Sequence, residues 1–234
     1  FGHAGCFSFQ NSKHLPIGEG GAIVSDDEEF MDRCYSYHNF GASYGSVQGK
    51  GIPRVGHKFR TTEYQAAIGL AQLKRLQSQS EQRFTNGDYL RQKMKELPGI
   101  RPVEYNDGVT RAVFHLYPFR YIKDEFKGLP RERFIRAMSA EGIPCGNGYG
   151  TYNKQDFIKD ALNWKLFKKV YPPEMLDYNK YMEQNQCPEN DILCDEEAIW
   201  MAQSMLLTSK SDMDDIVKAI QKIYEHADKI KEKS

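Results

Sequence analysis

Residues Cys6 to Ile23 read CFSFQNSKHLPIGEGGAI, and this stretch decides how the chain is read. Gly5–Phe9 (GCFSF) is short, aromatic and rich in small residues, the composition of a buried strand. A polar loop, Gln10–Gly20, follows, and Gly21–Ser25 (GAIVS) reads as a second buried strand. Lys13 therefore stands at the mouth of a strand, among small polar donors. An amine with an ordinary pKa of about 10.4 is a poor nucleophile at neutral pH. Desolvation or a neighbouring cation would depress that pKa and free the amine for a carbonyl. Ser8 and Ser12 offer hydroxyls, and the Gly18–Gly21 turn allows close backbone approach, both useful around a phosphate. On the residues alone a plainer reading stands beside this one, a solvated lysine and a tight turn. The glycines match neither the Walker pattern nor G-x-G-x-x-G.

Outward from this segment, Asp26 and Asp27 read as N-cap residues of a helix running to about Tyr37. Asn39–Gly56 is a long glycine-rich loop, of a length that tends to be functional or mobile. Thr62 and Gln65 form a capping box for the next helix. Ala66, Ala67, Ile68, Leu70, Ala71 and Leu73 surround that helix with apolar side chains, which predicts burial on several sides. A more polar continuation reaches about Leu97, where Pro98 and Gly99 stop it.

The character changes at Pro98. Ile100–Tyr105 and Ala112–Ile122 read as strands joined by an Asn-Asp-Gly turn. Pro130–Glu141 reads as a helix with Phe134, Ile135 and Met138 on one face, ended by Gly142. Gly146–Asn190 offers only short helical pieces, and Asp195–Gln203 reads as helical. The last helix is expected to start at the box Ser211–Asp214, with Ile216, Ile220, Ile223 and Ala227 on one side. The pattern predicts two domains: 1–97, the end of an α/β domain, and 98–234, a smaller α+β domain. Two strands do not make a stable α/β sheet alone, so further strands are expected from sequence outside this chain.

Composition narrows the function. Of 234 residues, 40% are hydrophobic and 27% charged, as in an ordinary soluble domain. The formal net charge of zero gives no pointer to nucleic acid or an anionic membrane. No apolar run approaches the ~20 residues of a membrane span. No signal peptide is visible, although the first residue is Phe1 rather than Met. The five widely spaced cysteines form no CxxC pair, which suggests a reducing, cytoplasmic setting and ordinary buried thiols rather than a metal site.

The run FSFQNSKHLPIGEGGAIVSDDEE from Phe7 resembles the lysine segment of the DegT/StrS-type sugar aminotransferases (the DegT/DnrJ/EryC/StrS group), fold-type I enzymes that depend on pyridoxal 5'-phosphate. Gly56–Leu73 (GHKFRTTEYQAAIGLAQL) resembles that family's G-x-N-[YF]-R-[ML]-T-E-x-Q-A-A-I-G-L-x-Q-L, and Ala140–Gly146 (AEGIPCG) is a looser third match. The resemblance implies the C-terminal part of a three-layer α/β/α large domain plus a small α+β domain. It implies that Lys13 carries the cofactor as a Schiff base and shuttles protons, and that Ser8 binds the cofactor phosphate. Lys58 stands where the family has an asparagine that reaches the phosphate of a neighbouring subunit, and Thr61 replaces the usual Met or Leu. Arg60 matches a family arginine for substrate or interface contact. His14 would line a sugar pocket, and His115, Tyr117, Tyr149 and Tyr152 would close over the acceptor. Trp164 and Trp200 read as core anchors.

The implied reaction moves an amino group from glutamate or glutamine to a keto sugar or keto cyclitol, in a homodimer with shared active sites. A non-catalytic regulator of the same fold, or a sugar dehydratase, are the alternatives; Lys13 itself favours transamination, because the related dehydratases carry histidine there. The family's glycine-threonine phosphate turn, ring-stacking aromatic and pyridine-pairing aspartate have no counterpart in these residues. The chain is therefore expected to be a fragment, inactive alone.

Overall fold

The computed structural model describes residues 2–232. The chain forms two compact units that divide between Glu81 and Gln82.

The first unit opens with a hairpin. Strands β1 (Gly5–Ser8) and β2 (Gly21–Val24) pair antiparallel, Gly5 opposite Val24 and Ser8 opposite Gly21. Helix α1 (Glu28–His38) is capped by Asp27, whose side chain accepts from Phe30 N at 2.9 Å. The Asn39–Gly56 loop then crosses itself. A Cβ on Gly41 would lie 1.8 Å from Arg54 O, and one on Gly56 would lie 2.2 Å from Gly41 N, so both positions require glycine. Helix α2 (Glu63–Met94) begins at the expected box: Gln65 N donates to Thr62 Oγ1 at 3.3 Å and Thr62 N to Gln65 Oε1 at 3.0 Å.

The burial expected here is not found. Phe7, Ile23 and Val24 of the hairpin are exposed, and so are Ile68, Leu70 and Leu73 of α2. Among the described residues only Ile17 and Val47 are buried apolar side chains in this unit. A two-stranded ribbon leaves its faces uncovered unless another layer packs on them.

The second unit holds the core. Strands β3 (Ile100–Pro102), β4 (Leu116–Tyr121), β5 (Cys145–Gly146) and β6 (Ala198–Ala202) form an antiparallel sheet in the order β3-β4-β6-β5. β3 ends sooner than expected, at Pro102, whose ring removes the N–H a longer ladder needs. Helix α3 (Arg131–Ala140) buries Phe134 and Met138, and Gly142 follows at φ +83°. Short helices α4 (Asp156–Leu162), α5 (Phe167–Val170), α6 (Tyr178–Gln184) and α7 (Pro188–Ile192) fill the tyrosine-rich stretch. Helix α8 (Lys210–Glu225) buries Met213, Ile216, Ile220 and Ile223, and α9 (Ala227–Glu232) closes the chain with Ala227 buried.

Further expectations are corrected in this unit. Residues 198–202 form a central strand rather than a helix; the short run AIWMA suits either, and pairing with β4 on one side and β5 on the other settles it. Helix α8 starts two residues earlier than expected, because Ser209 and Asp212 complete the capping box and the Ser211–Asp214 spacing does not. Trp164, in the turn between α4 and α5, is 57% exposed rather than a core anchor. The cysteines are free thiols of which Cys6 and Cys187 are exposed and the others half-buried, not deeply buried.

The change of character at Pro98 follows the end of α2 closely, whereas the units divide within α2, because Leu90 and Met94 already belong to the second core.

Candidate functional site

Gln10 organises the lysine turn. Its backbone N–H donates to Ser8 Oγ at 3.3 Å, and its carbonyl accepts from Lys13 N at 2.9 Å. Its side-chain oxygen accepts from Ser12 N at 2.9 Å and from Ser12 Oγ at 2.6 Å. The end of β1, two serine hydroxyls and the lysine are thus folded around one residue. The loop is closed below by Phe9 N donating to Gly20 O at 2.8 Å and Ile17 N to Phe9 O at 2.9 Å. Lys13 and His14 are half-buried and Ser8 is exposed.

The returning arm of the loop is fastened to α2. Ile17, 7% exposed, packs on Gly20, where an added Cβ would sit 3.0 Å from Ile17 Cδ1, and reaches Gly69. Gln65 Nε2 donates to Glu19 O at 2.7 Å across 46 residues of sequence. Sequence reasoning found Gln65 only as a cap; a tie to a backbone carbonyl so far away leaves no pattern in the sequence.

Lys58 and Arg60 lie on a second piece of backbone, docked against the end of α1. His57 N donates to Tyr37 O at 2.7 Å, Phe59 N to His38 O at 2.9 Å, and Asn39 bridges Lys58. The Lys58 ammonium stands 5.9 Å from the Phe40 ring centroid and the Arg60 guanidinium 5.4 Å from it. Phe40 adopts a left-handed backbone, φ +62°. Both cations are exposed, and among the described residues neither forms an ion pair. Arg60 lines an open groove of about 1550 Å³ with Gly20, Gly21 and Gln65; Lys13, Ser8 and Lys58 do not line it.

In the second unit Tyr149 and Tyr152 line a groove of about 1360 Å³ over the sheet, together with Arg120 and Trp200. Tyr149 meets Trp200 edge-on, ring centroids 4.6 Å apart, and Gly148 (φ +75°) makes room, since a Cβ there would fall 2.7 Å from the indole. Trp200 is therefore a groove wall as well as a strand residue. His115 is half-buried just before β4. Tyr117, expected beside the acceptor, is instead fully buried: its hydroxyl donates to Gly87 O at 3.2 Å, and burial pushes its pKa up. Strand alternation explains this, because Tyr117, Phe119 and Tyr121 all point to the core face of β4.

Over 96% of its length the chain superposes on the crystal structure of 3-amino-5-hydroxybenzoic acid (AHBA) synthase with a TM-score of 0.74, at 22% identity, covering 55% of that chain. The architecture is that of a fold-type I aminotransferase, of which the chain covers about half. Residues 1–167 match the DegT/DnrJ/EryC1/StrS aminotransferase family, and the chain belongs to that family. It is 29% identical, over 98% of its own length and 55% of the relative's, to a protein of Streptoalloteichus tenebrarius provisionally named L-glutamine:3-amino-2,3-dideoxy-scyllo-inosose aminotransferase. It is 27% identical, over 96% of its length and 53% of the relative's, to the L-glutamine:2-deoxy-scyllo-inosose aminotransferase of Micromonospora echinospora. The chain spans about half the length of these relatives.

Proposed function

We propose that this chain is the lysine-bearing part of a pyridoxal-phosphate-dependent aminotransferase that moves an amino group from glutamate or glutamine onto a keto sugar or keto cyclitol. The observation that carries the reading is the Gln10-centred turn. It brings the backbone of Lys13, whose side-chain amine is suited to an aldehyde, and Ser8, whose hydroxyl is suited to a phosphate oxygen, to the same strand end. The residues present fit the cofactor by that chemistry.

Pyridoxal phosphate, when bound, supplies an electron-withdrawing ring that eases ionisation of a carbon–hydrogen bond next to nitrogen. Lys13 is the residue that would hold the cofactor's aldehyde, and its Nζ would accept and return a proton during transfer. Ser8 Oγ donates to the phosphate. Lys58 adds a point charge where the family uses an amide, in a site shared between two copies of the protein. Arg60, beside the groove of the first unit, takes an anionic or hydroxyl group of substrate, with His14 next to the lysine; His115 and Tyr149 are assigned to acceptor recognition. The relatives' names support a cyclitol or sugar ketone as acceptor and glutamine as donor. The exposed apolar faces of β1, β2 and α2 support packing against further polypeptide or a second copy, and the reading takes the protein to be a cytoplasmic homodimer.

Borohydride reduction of the cofactor-loaded protein, followed by peptide mass mapping, tests this. The phosphopyridoxyl group is expected on Lys13; an unlabelled Lys13 peptide overturns the reading. Conversion of the bound cofactor to its amine form by L-glutamate or L-glutamine separates the enzyme from a regulator of the same fold.

A further inference from the structure

We infer that Gln65 is a positioning residue for Lys13, holding the lysine loop in its reactive register through Glu19; this rests on the functional reading above. The side chain does two separable things. Its oxygen accepts from Thr62 N and from Thr62 Oγ1, both at 3.0 Å, which caps α2. Its nitrogen donates to Glu19 O at 2.7 Å, which concerns the loop alone.

The loop needs that second anchor. Between β1 and β2 the chain makes a twelve-residue excursion, Phe9–Gly20, and Ile17 is its only buried side chain. The outgoing arm is tied through Gln10 to Ser8 and Lys13, while the returning arm passes two left-handed or extended glycines, Gly18 (φ +94°) and Gly20 (φ +149°). Glycine lets that arm swing at little cost. Glu19 lies between these glycines, so the amide of Gln65 grips the arm at its most pliable point. Ile17 adds grip on Gly69, one helical turn beyond Gln65, so one face of α2 carries both contacts. The same face reaches the outgoing arm through Ile17 N, which donates to Phe9 O beside Gln10, the residue whose carbonyl accepts from Lys13 N.

Gln65→Glu keeps the acceptor that caps α2 and removes the donor that holds Glu19. In the cofactor-loaded protein it is expected to weaken pyridoxal phosphate affinity about fivefold to tenfold, the worth of one lost hydrogen bond, and to move the pH midpoint of the Lys13-bound visible band by roughly half a unit to one unit. Thr62→Ala removes the cap without touching Glu19, and is expected to lower the melting temperature while leaving that midpoint in place. Gln65→Lys, which restores a donor, is expected to return the midpoint toward wild type. Should Gln65→Glu fail to fold, Gln65→Leu against Gln65→Lys makes the same comparison. A wild-type Lys13 that takes no borohydride label overturns the functional reading and this inference together. A labelled wild type with an indifferent Gln65→Glu overturns this inference alone.

Discussion

The backbones of Gly41 and Gly56 touch: a Cβ built on Gly56 would lie 2.2 Å from the amide nitrogen of Gly41. This contact closes the Asn39–Gly56 loop and sets the stretch bearing Lys58 and Arg60 against the end of α1. Gly41→Ala meets two penalties, a left-handed φ of +78° and a Cβ 1.8 Å from Arg54 O. It is expected to cost more than about 3 kcal/mol. Gly51→Ala, at φ +69° in open space, is expected to cost only about 1–2 kcal/mol. Thermal or urea unfolding of the two variants checks the difference.

In the complete enzyme, Lys13→Ala is expected to abolish borohydride labelling and to lower kcat about 10²- to 10⁴-fold, as loss of a general acid–base does. Ser8→Ala is expected to leave labelling possible while weakening the cofactor about tenfold or more, since a hydrogen bond to a charged phosphate is lost. Cofactor titration by absorbance separates the two effects.

Tyr117 and Tyr149 are expected to part ways. Tyr117→Phe removes one buried hydrogen bond, to Gly87 O, and is expected to lower stability by about 1 kcal/mol with KM for the acceptor unchanged. Tyr149, 58% exposed in the groove beside Trp200, is expected to do the reverse on substitution by alanine: little change in melting temperature, a raised acceptor KM. Steady-state kinetics beside calorimetry decides it.

The thiols are expected to react unequally. Burial pushes the Cys145 thiol up to about 11, while Cys6 and Cys187 are exposed. A thiol reagent at pH 8 is expected to modify Cys6 and Cys187 first and Cys145 last. Because the folded pKa lies above the usual thiol value of 9.0, Cys145 favours the folded state below pH 9, and that contribution declines as pH rises toward 11. Unfolding midpoints measured from pH 8 to 11, with Cys145→Ala as the reference, check the sign.

Local chemistry was legible in the chain wherever neighbouring residues decide it. The two strand segments flanking the Lys13 loop, the Asp27 cap of α1, the Thr62–Gln65 box and the buried stripe of α8 are all short-range patterns of polarity and spacing. The lysine segment and Gly56–Leu73 are also contiguous, which is why they pointed to the family directly.

What neighbours do not decide, only the tertiary structure could. AIWMA became the centre of a sheet because β4 and β5 offered it hydrogen bonds on both sides, and no property internal to five apolar residues distinguishes that outcome from a helix. Tyr117 went to the core because strand pairing chose its face. Gln65 reached Glu19 because folding brought together residues 46 apart. Sequence alone determined that a lysine stands in a polar loop between two strands; packing and long-range hydrogen bonding, which depend on residues far along the chain, determined what holds that loop still.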